Sequence, residues 1–280
     1  MKYPKVYNYG KIVDTDENLK AYARYFKRYI EEYGKENIPV SMIHVQNEII
    51  ADQKFPSCVW SAQMLEKFIC NYLYPEIGEL AEIWFGTINA PETITTRYND
   101  LLNRCMQNPK FKKAVRGTGL QWAGKFAVQQ VHDDYPDLKI YQTESECGDG
   151  ENSWEYAKYI FEMIRHYFRN GALAYVYWNM ILGDSESTWG WKQNSMVTVK
   201  NGEIIYNPEF YLMKHFSHFV KKGAVLVKTS GSWSSNFVVF RNPNGEYVVV
   251  TMNPFDMERT IKIKDRYVTL EANSFATIML

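Results

Sequence analysis

The 280-residue sequence predicts an α/β chain over residues 1–219 and an antiparallel β-sandwich module over 220–280. Two observations predict it. From about residue 15 to 218, helical patterns alternate with short apolar runs, the pattern of βα units feeding a parallel sheet. After about residue 220, short alternating strands are punctuated by turn segments at 242–245 (NPNG), 253–256 (NPFD) and 271–273 (EAN).

The elements follow in order. Thr15 can cap a helix whose Leu19, Ala23, Phe26 and Ile30 recur at helical spacing, with Gly34 as a stop. The run 38–46 (IPVSMIHVQ) reads as a buried strand ending at Asn47 and Glu48. A loop holding Pro56 and Cys58 leads to Ser61, a second cap, and a helix through Met64, Leu65, Phe68, Ile69 and Tyr72. Strand 82–86 (EIWFG) and a helical stretch at 94–115 come next. Strand 117–122 (GTGLQW) precedes a helix at 124–135, and strand 138–144 (LKIYQTE) ends in a carboxylate. Ser153 caps an amphipathic helix bearing Ala157, Ile160, Phe161, Ile164 and Phe168, stopped at Asn170-Gly171. Strand 172–179 (ALAYVYWN), a hairpin turning at Asn201-Gly202 and a helix at 208–220 complete the α/β part.

Composition narrows the function. The 32 basic and 32 acidic residues are well mixed, so the chain lacks the basic field that nucleic-acid binding requires. Cys58, Cys70, Cys105 and Cys147 are widely spaced and form no CxxC pair, so neither a zinc site nor a disulfide framework is expected. Asp149 and Glu151 have oxygen ligands to offer a cation, but a solvated loop is the default; no metal and no cofactor are expected. No apolar run reaches the roughly 18 residues of a membrane span. The opening MKYPKVYNYG has no apolar core of a signal peptide. The 16% aromatic content suits stacking on sugar rings and suits an aromatic-rich core equally well.

In a (β/α)8 TIM-type barrel, chemistry sits at the C-terminal ends of the strands. Glu48, after HVQN, and Glu144, closing YQTE, both meet that condition. Paired carboxyls can break a glycosidic bond, one as nucleophile and one as acid and then base. Spacing alone is weak support, because 32 acidic residues make chance pairs easy. Glu146 shares the strand parity of Glu144 and is a rival nucleophile. His44 reads as a packed histidine on the Glu48 strand, and Trp84 and Trp154 read as packing residues.

The words around the glutamates carry more. HVQNE followed by QKFPSCVWSAQ (53–63) resembles the acid/base strand and loop of glycoside hydrolase family 30, the glucosylceramidase-like retaining β-glycosidases. YQTESECGDG (141–150) resembles that family's nucleophile strand. GLQWAGK (119–125), YVYWN (175–179) and STWGWKQNS (187–195) follow in the family's order. The resemblance implies a retaining β-glycosidase with Glu48 as acid/base, Glu144 as nucleophile and Asn47 on the sugar 2-hydroxyl. It further implies a sugar site lined by Gln121, Trp122, Trp178, Asn179, Trp189 and Trp191. The substrate would be a β-linked carbohydrate or glycoconjugate. Gln121 stands where the glucosylceramidase branch has histidine and Ala123 where it has tyrosine, which argues against glucosylceramide.

Family members run through three βα strands before the acid/base strand, the third ending in a segment like PPxWMK. The opening MKYPK resembles an internal start within that segment. The resemblance therefore implies an incomplete barrel, about strands 4–8, with poor activity and self-association through exposed barrel edges. It leaves the compartment open, because the family is often secreted. A non-catalytic carbohydrate-binding remnant, or a half-barrel that needs a partner chain, are the alternatives.

Overall fold

The structure, a computed structural model, describes residues 2–3, 10–53, 56–89, 95–183 and 190–280. The chain forms two compact units. One comprises Met1–Glu144 and Asn170–Val176, the other Ser145–Arg169 and Tyr177–Leu280.

The first unit opens on a small antiparallel pair, β1 (Lys2–Tyr3) and β2 (Lys11–Ile12). Helix α1 (Asp16–Lys35) follows, with the Thr15 hydroxyl accepting from Asn18 N as a cap. Gly34 does not end it. Asn37 takes the left-handed conformation (φ 61°), and Ile38 N returns to Tyr33 O at 3.0 Å, closing the last turn. The buried Leu19, Ala23 and Ile30 mark the inner face of α1.

Five parallel strands make the sheet of this unit, in sequence order: β3 (Met42–His44), β4 (Glu82–Ile88), β5 (Val115–Gln121), β6 (Lys139–Glu144) and β7 (Ala172–Tyr175). Each matches an apolar run read from the sequence, although β3 and β7 are shorter than those runs. Between β3 and β4 lies α2 (Ala62–Phe68), capped by Ser61, which continues through a π-helical turn at Ile69–Leu73 into α3 (Tyr74–Ile77). The 94–115 stretch is two helices, α4 (Thr95–Met106) and α5 (Pro109–Ala114). Pro109 cannot continue the first, and the Asn108 side chain caps the second at Lys110 N. The expected 124–135 helix is likewise divided, into a 3₁₀ turn at Trp122–Phe126 and α6 (Val128–Asp134).

Trp84 is fully buried, its ring 4.9 Å from that of His44 and 4.6 Å from that of Tyr141. Gly117 makes room for it: a Cβ there would lie 2.6 Å from the indole. Both residues serve packing, in keeping with the sequence reading of Trp84.

In the second unit, α7 (Trp154–Arg169) buries Ala157, Ile160, Phe161 and Ile164, and the Ser153 hydroxyl caps it at Tyr156 N. A three-stranded sheet joins β8 (Ile181–Gly183), β9 (Val197–Lys200) and β10 (Glu203–Tyr206). The β9–β10 hairpin turns on Asn201 (φ 52°) and Gly202 (φ 80°), the two left-handed residues its sequence predicts. Helix α8 (Pro208–Ser217) leads to the all-β segment. There β11 (Val225–Leu226), β12 (Phe237–Arg241), β13 (Tyr247–Asn253) and β16 (Ser274–Met279) form an antiparallel sheet. A hairpin of β14 (Arg259–Ile263) and β15 (Arg266–Leu270) accompanies it.

Candidate active site

The strand ends of β3 to β6 build a polar cluster from two irregularities in the sheet. Between β4 and β5 the register slips, pairing Trp84 with Gly117 but Thr87 with Gly119. Gly86 sits in the slip with φ 138°, and a Cβ on it would meet Gln46 O at 2.7 Å. Between β5 and β6 one extra residue, Thr143, intervenes, so Leu120 faces Gln142 while Gln121 faces Glu144. The first slip delivers Thr87 to the loop after β3, and the second sets Gln121 beside Glu144.

Thr87 clasps that loop. Its backbone N donates to Gln46 O (2.9 Å), its hydroxyl donates to Asn47 Oδ1 (2.9 Å), and the same oxygen accepts from Glu48 N (3.1 Å). Glu48 is held with φ 48°, a left-handed conformation uncommon for a glutamate. Trp60 Nε1 donates to Gln46 Oε1 and Gln46 Nε2 to Asn47 O, bracing the same turn from below.

Gln121 is 1% exposed. Its Nε2 lies 2.7 Å from Asn47 Oδ1, 3.1 Å from Glu144 Oε2 and 3.2 Å from Thr87 Oγ1. One amide thus joins the residue before Glu48 to the carboxylate of Glu144. Asn47 Oδ1 accepts from both Thr87 and Gln121, which turns its exposed NH₂ away from the sheet. Glu48 Oε1 accepts from Asn89 Nδ2 at 3.2 Å.

Both carboxyls are half-buried, and burial raises both above the usual carboxylate range. Asn89 opposes the rise at Glu48 by bonding its charged form. Glu144 is pushed up to about 7, by burial first and by the Glu48 charge second. Beside them, burial lowers the pKa of His44, keeping the ring neutral under Trp84.

The structure therefore brings together Asn47, Glu48, Gln121 and Glu144, four residues singled out in the sequence. Trp122, 38% exposed, opens the 3₁₀ turn directly after Gln121. Trp178, Asn179 and Trp191 belong to the second unit. There the Ser145 hydroxyl accepts from Trp178 N and donates to Trp178 O, and Asn179 Nδ2 donates to Gln193 Oε1 at 2.8 Å. The Trp178 and Trp191 side chains are nearly half-exposed. Trp189 lies outside the described residues. Glu146, also in the second unit, accepts at Oε1 from the Tyr159 hydroxyl (2.6 Å). Thr87 and Asn89 escaped the sequence reading: one looks like an ordinary β-former, the other like the start of a turn before Pro91.

Strand-end carboxylates on a parallel sheet, with an antiparallel β module after it, define a class: proteins of the βα-barrel and β-sandwich architecture used for sugar chemistry. The glycosyl hydrolase family 30 TIM-barrel model matches residues 5–220, and the family's β-sandwich model matches 223–278. The chain belongs to glycosyl hydrolase family 30. It is 26% identical over 264 residues to the endo-1,6-β-D-glucanase neg1 of Aspergillus fumigatus, covering 87% of this chain and 52% of the relative. It is 25% identical over 284 residues to a putative glucosylceramidase 1 of Caenorhabditis elegans, covering 89% and 53%. The chain thus spans about half the length of these relatives. Among solved structures, SrfJ from Salmonella typhimurium matches at TM-score 0.84 with 22% identity, over all of this chain and 66% of that one. An endo-β1,6-glucanase matches at TM-score 0.81 with 20% identity, over 95% and 63%. At these identities the structural matches establish the fold.

Proposed function

We propose that the chain carries the catalytic carboxylates of a retaining β-glycosidase, with Glu48 as acid/base, Glu144 as nucleophile and a β-linked glucoside or glucan as substrate. The observation that carries this reading is the shared Gln121 amide, which ties Glu144 to Asn47 and so to the turn that holds Glu48. In the first step Glu144 attacks the anomeric carbon and forms a glycosyl ester. The glycosidic C–O bond breaks, and Glu48 gives its proton to the departing oxygen. In the second step Glu48 takes a proton from water, which attacks the same carbon and releases Glu144, so the configuration is retained. The first step requires Glu48 protonated and Glu144 ionised; the second requires Glu48 ionised, and the proton it takes from water restores the starting state.

Asn47 fits its part. With Oδ1 occupied twice, its outward NH₂ is a fixed donor for the sugar 2-hydroxyl, a contact that strengthens as the oxocarbenium-like state develops. Trp122 supplies an aromatic wall; the family resemblance extends the sugar contacts to Trp178, Asn179, Trp189 and Trp191. The relatives include both endo-1,6-β-D-glucanases and glucosylceramidases, and the departure of Gln121 and Ala123 from the glucosylceramidase pattern is what favours a glucan over glucosylceramide.

A 2-fluoro β-glucoside with a good leaving group tests the assignment, because one turnover suffices to trap the ester. Peptide mass spectrometry should find the label on Glu144. A label on Glu146 or none at all, with a folded protein, defeats it.

A second reading is favoured by the sheet order. Strands β3 and β7 each have an outer edge without a strand partner among the described residues, a state that invites pairing with another chain. In this reading full turnover needs such a partner. Light scattering at the concentration of the assay separates the two: a monomer with vigorous turnover excludes the second.

A further inference from the structure

The loop after β4 brings a side chain to Glu48 that has no assigned part in the reaction. Asn89 makes two hydrogen bonds of opposite sense. Its Nδ2 donates to Glu48 Oε1 at 3.2 Å, and its Oδ1 accepts from the backbone N–H of Ala123 at 3.2 Å. A backbone N–H is only ever a donor, so Ala123 fixes which end of the amide is oxygen. The NH₂ end is thereby committed to Glu48 and cannot flip to present a carbonyl.

The Ala123 N–H is itself held firmly. The 3₁₀ turn at Trp122–Phe126 lies directly on the end of β4, where a Cβ on Gly124 would meet Ile88 O at 3.0 Å and Leu120 Cβ at 2.9 Å. Ala123 and Gly124 are buried. The donor aimed at Glu48 is therefore braced by main chain from the neighbouring strand rather than by another mobile side chain.

Resting on the reading of Glu48 as acid/base, we infer that Asn89 is a positioning residue that decides which Glu48 oxygen carries the catalytic proton. A protonated carboxyl has one O–H and one carbonyl oxygen, and an N–H donor selects the carbonyl oxygen as its acceptor. Oε1 is that oxygen, so the proton resides on Oε2. After the proton has gone to the leaving group, the same N–H bonds the carboxylate, favouring the charged form that must next act as base. Asn89 thus serves both halves of the cycle without touching the substrate, and it holds Glu48 lower than burial alone would leave it.

Two variants test this. Asn89→Asp keeps the acceptor for Ala123 N–H and replaces the donor by a negative charge against Glu48. Asn89→Leu removes the donor without adding charge. The readout is the Glu48 carboxyl resonance in protein carrying ¹³C-labelled glutamate, assigned by its loss in Glu48→Gln and followed against pH. We expect the Glu48 titration to move up in both variants, by at least one pH unit in Asn89→Asp and by less in Asn89→Leu. An unmoved titration in folded Asn89→Leu overturns the inference, since only loss of the donor can move it there; the shift in Asn89→Asp, where the added charge acts as well, shows that position 89 faces the Glu48 carboxyl. The titration needs no turnover, so it stands apart from the reading beneath it. That reading fails separately if Glu48→Ala, supplied with azide and an activated aryl β-glucoside, yields no β-glucosyl azide.

Discussion

Gln121 donates to Glu144 across the β5–β6 register slip at 3.1 Å, with its Nε2 also serving Asn47. Removing that amide takes one donor each from the half-buried Glu144 carboxyl and from Asn47 Oδ1, and frees two groups whose relative placement the proposed reaction depends on. Gln121→Leu should lower kcat/KM on an aryl β-glucoside by about 10²-fold, since small misplacements cost that much. It should also cost about 1 kcal/mol of stability, the usual net worth of a hydrogen bond lost at a partly solvated site. Steady-state kinetics and denaturant unfolding check the two parts.

The raised pKa of Glu144 makes a prediction about stability. The folded value, about 7, lies above the ordinary carboxyl value of 4.5. Between these values the native state binds a proton that the unfolded chain has released, so this group's contribution to stability falls as pH rises through that window. Above it, the ionised Glu144 is a net cost. Glu144→Gln removes the charge, so at pH 8 the variant should be more stable than the parent by about 1–2 kcal/mol, after allowing for solvent screening at a half-buried rim. The difference should vanish below about pH 4. Melting temperatures across pH measure it, and equal curves for parent and variant contradict it.

Gly86 sets the position of Thr87, and its conformation admits no side chain. At φ 138° a Cβ would lie 2.7 Å from Gln46 O and 3.0 Å from Ile49 Cδ1. Gly86→Ala should destabilise the fold by about 3 kcal/mol or more, from backbone strain and the clash together. It should also detach Thr87 from Asn47. Thermal unfolding tests the first effect; a melt within a degree of the parent rules it out.

Much of this was legible in the sequence, and the limits have physical causes. The five parallel strands stood out as apolar runs between helical periods, and the Thr15, Ser61 and Ser153 caps followed from their hydroxyls ahead of amphipathic stretches. Strand β7 stops at Tyr175 rather than continuing to 179, because the main chain at Trp178 bonds the Ser145 hydroxyl and leaves the ladder. Apolar composition cannot report a hydrogen bond made to a serine more than thirty residues away. Glu48 and Glu144 stand in long motifs that resemble those of the family. Thr87 and Asn89 belong to the same network by contacts across strands, and a single polar residue closing an apolar strand carries no local signal of its partners. The register slips that aim Thr87 and Gln121 are tertiary too. A glycine within a strand, as at Gly86, is a local mark of such a slip, whereas Thr143 is an ordinary strand residue with no such mark.

The left-handed backbone of Glu48 has a consequence for anyone who evolves this chain in the laboratory. A glutamate at φ 48° costs on the order of 1 kcal/mol relative to glycine, and its half-buried carboxyl adds to the cost once ionised. Glu48→Gly keeps the backbone N–H to Thr87 and the C=O to Ala51, so at pH 8 it should melt at or above the parent while losing acid catalysis. A screen for thermostability alone will therefore reward discarding the proposed proton donor, and selection on turnover must accompany it.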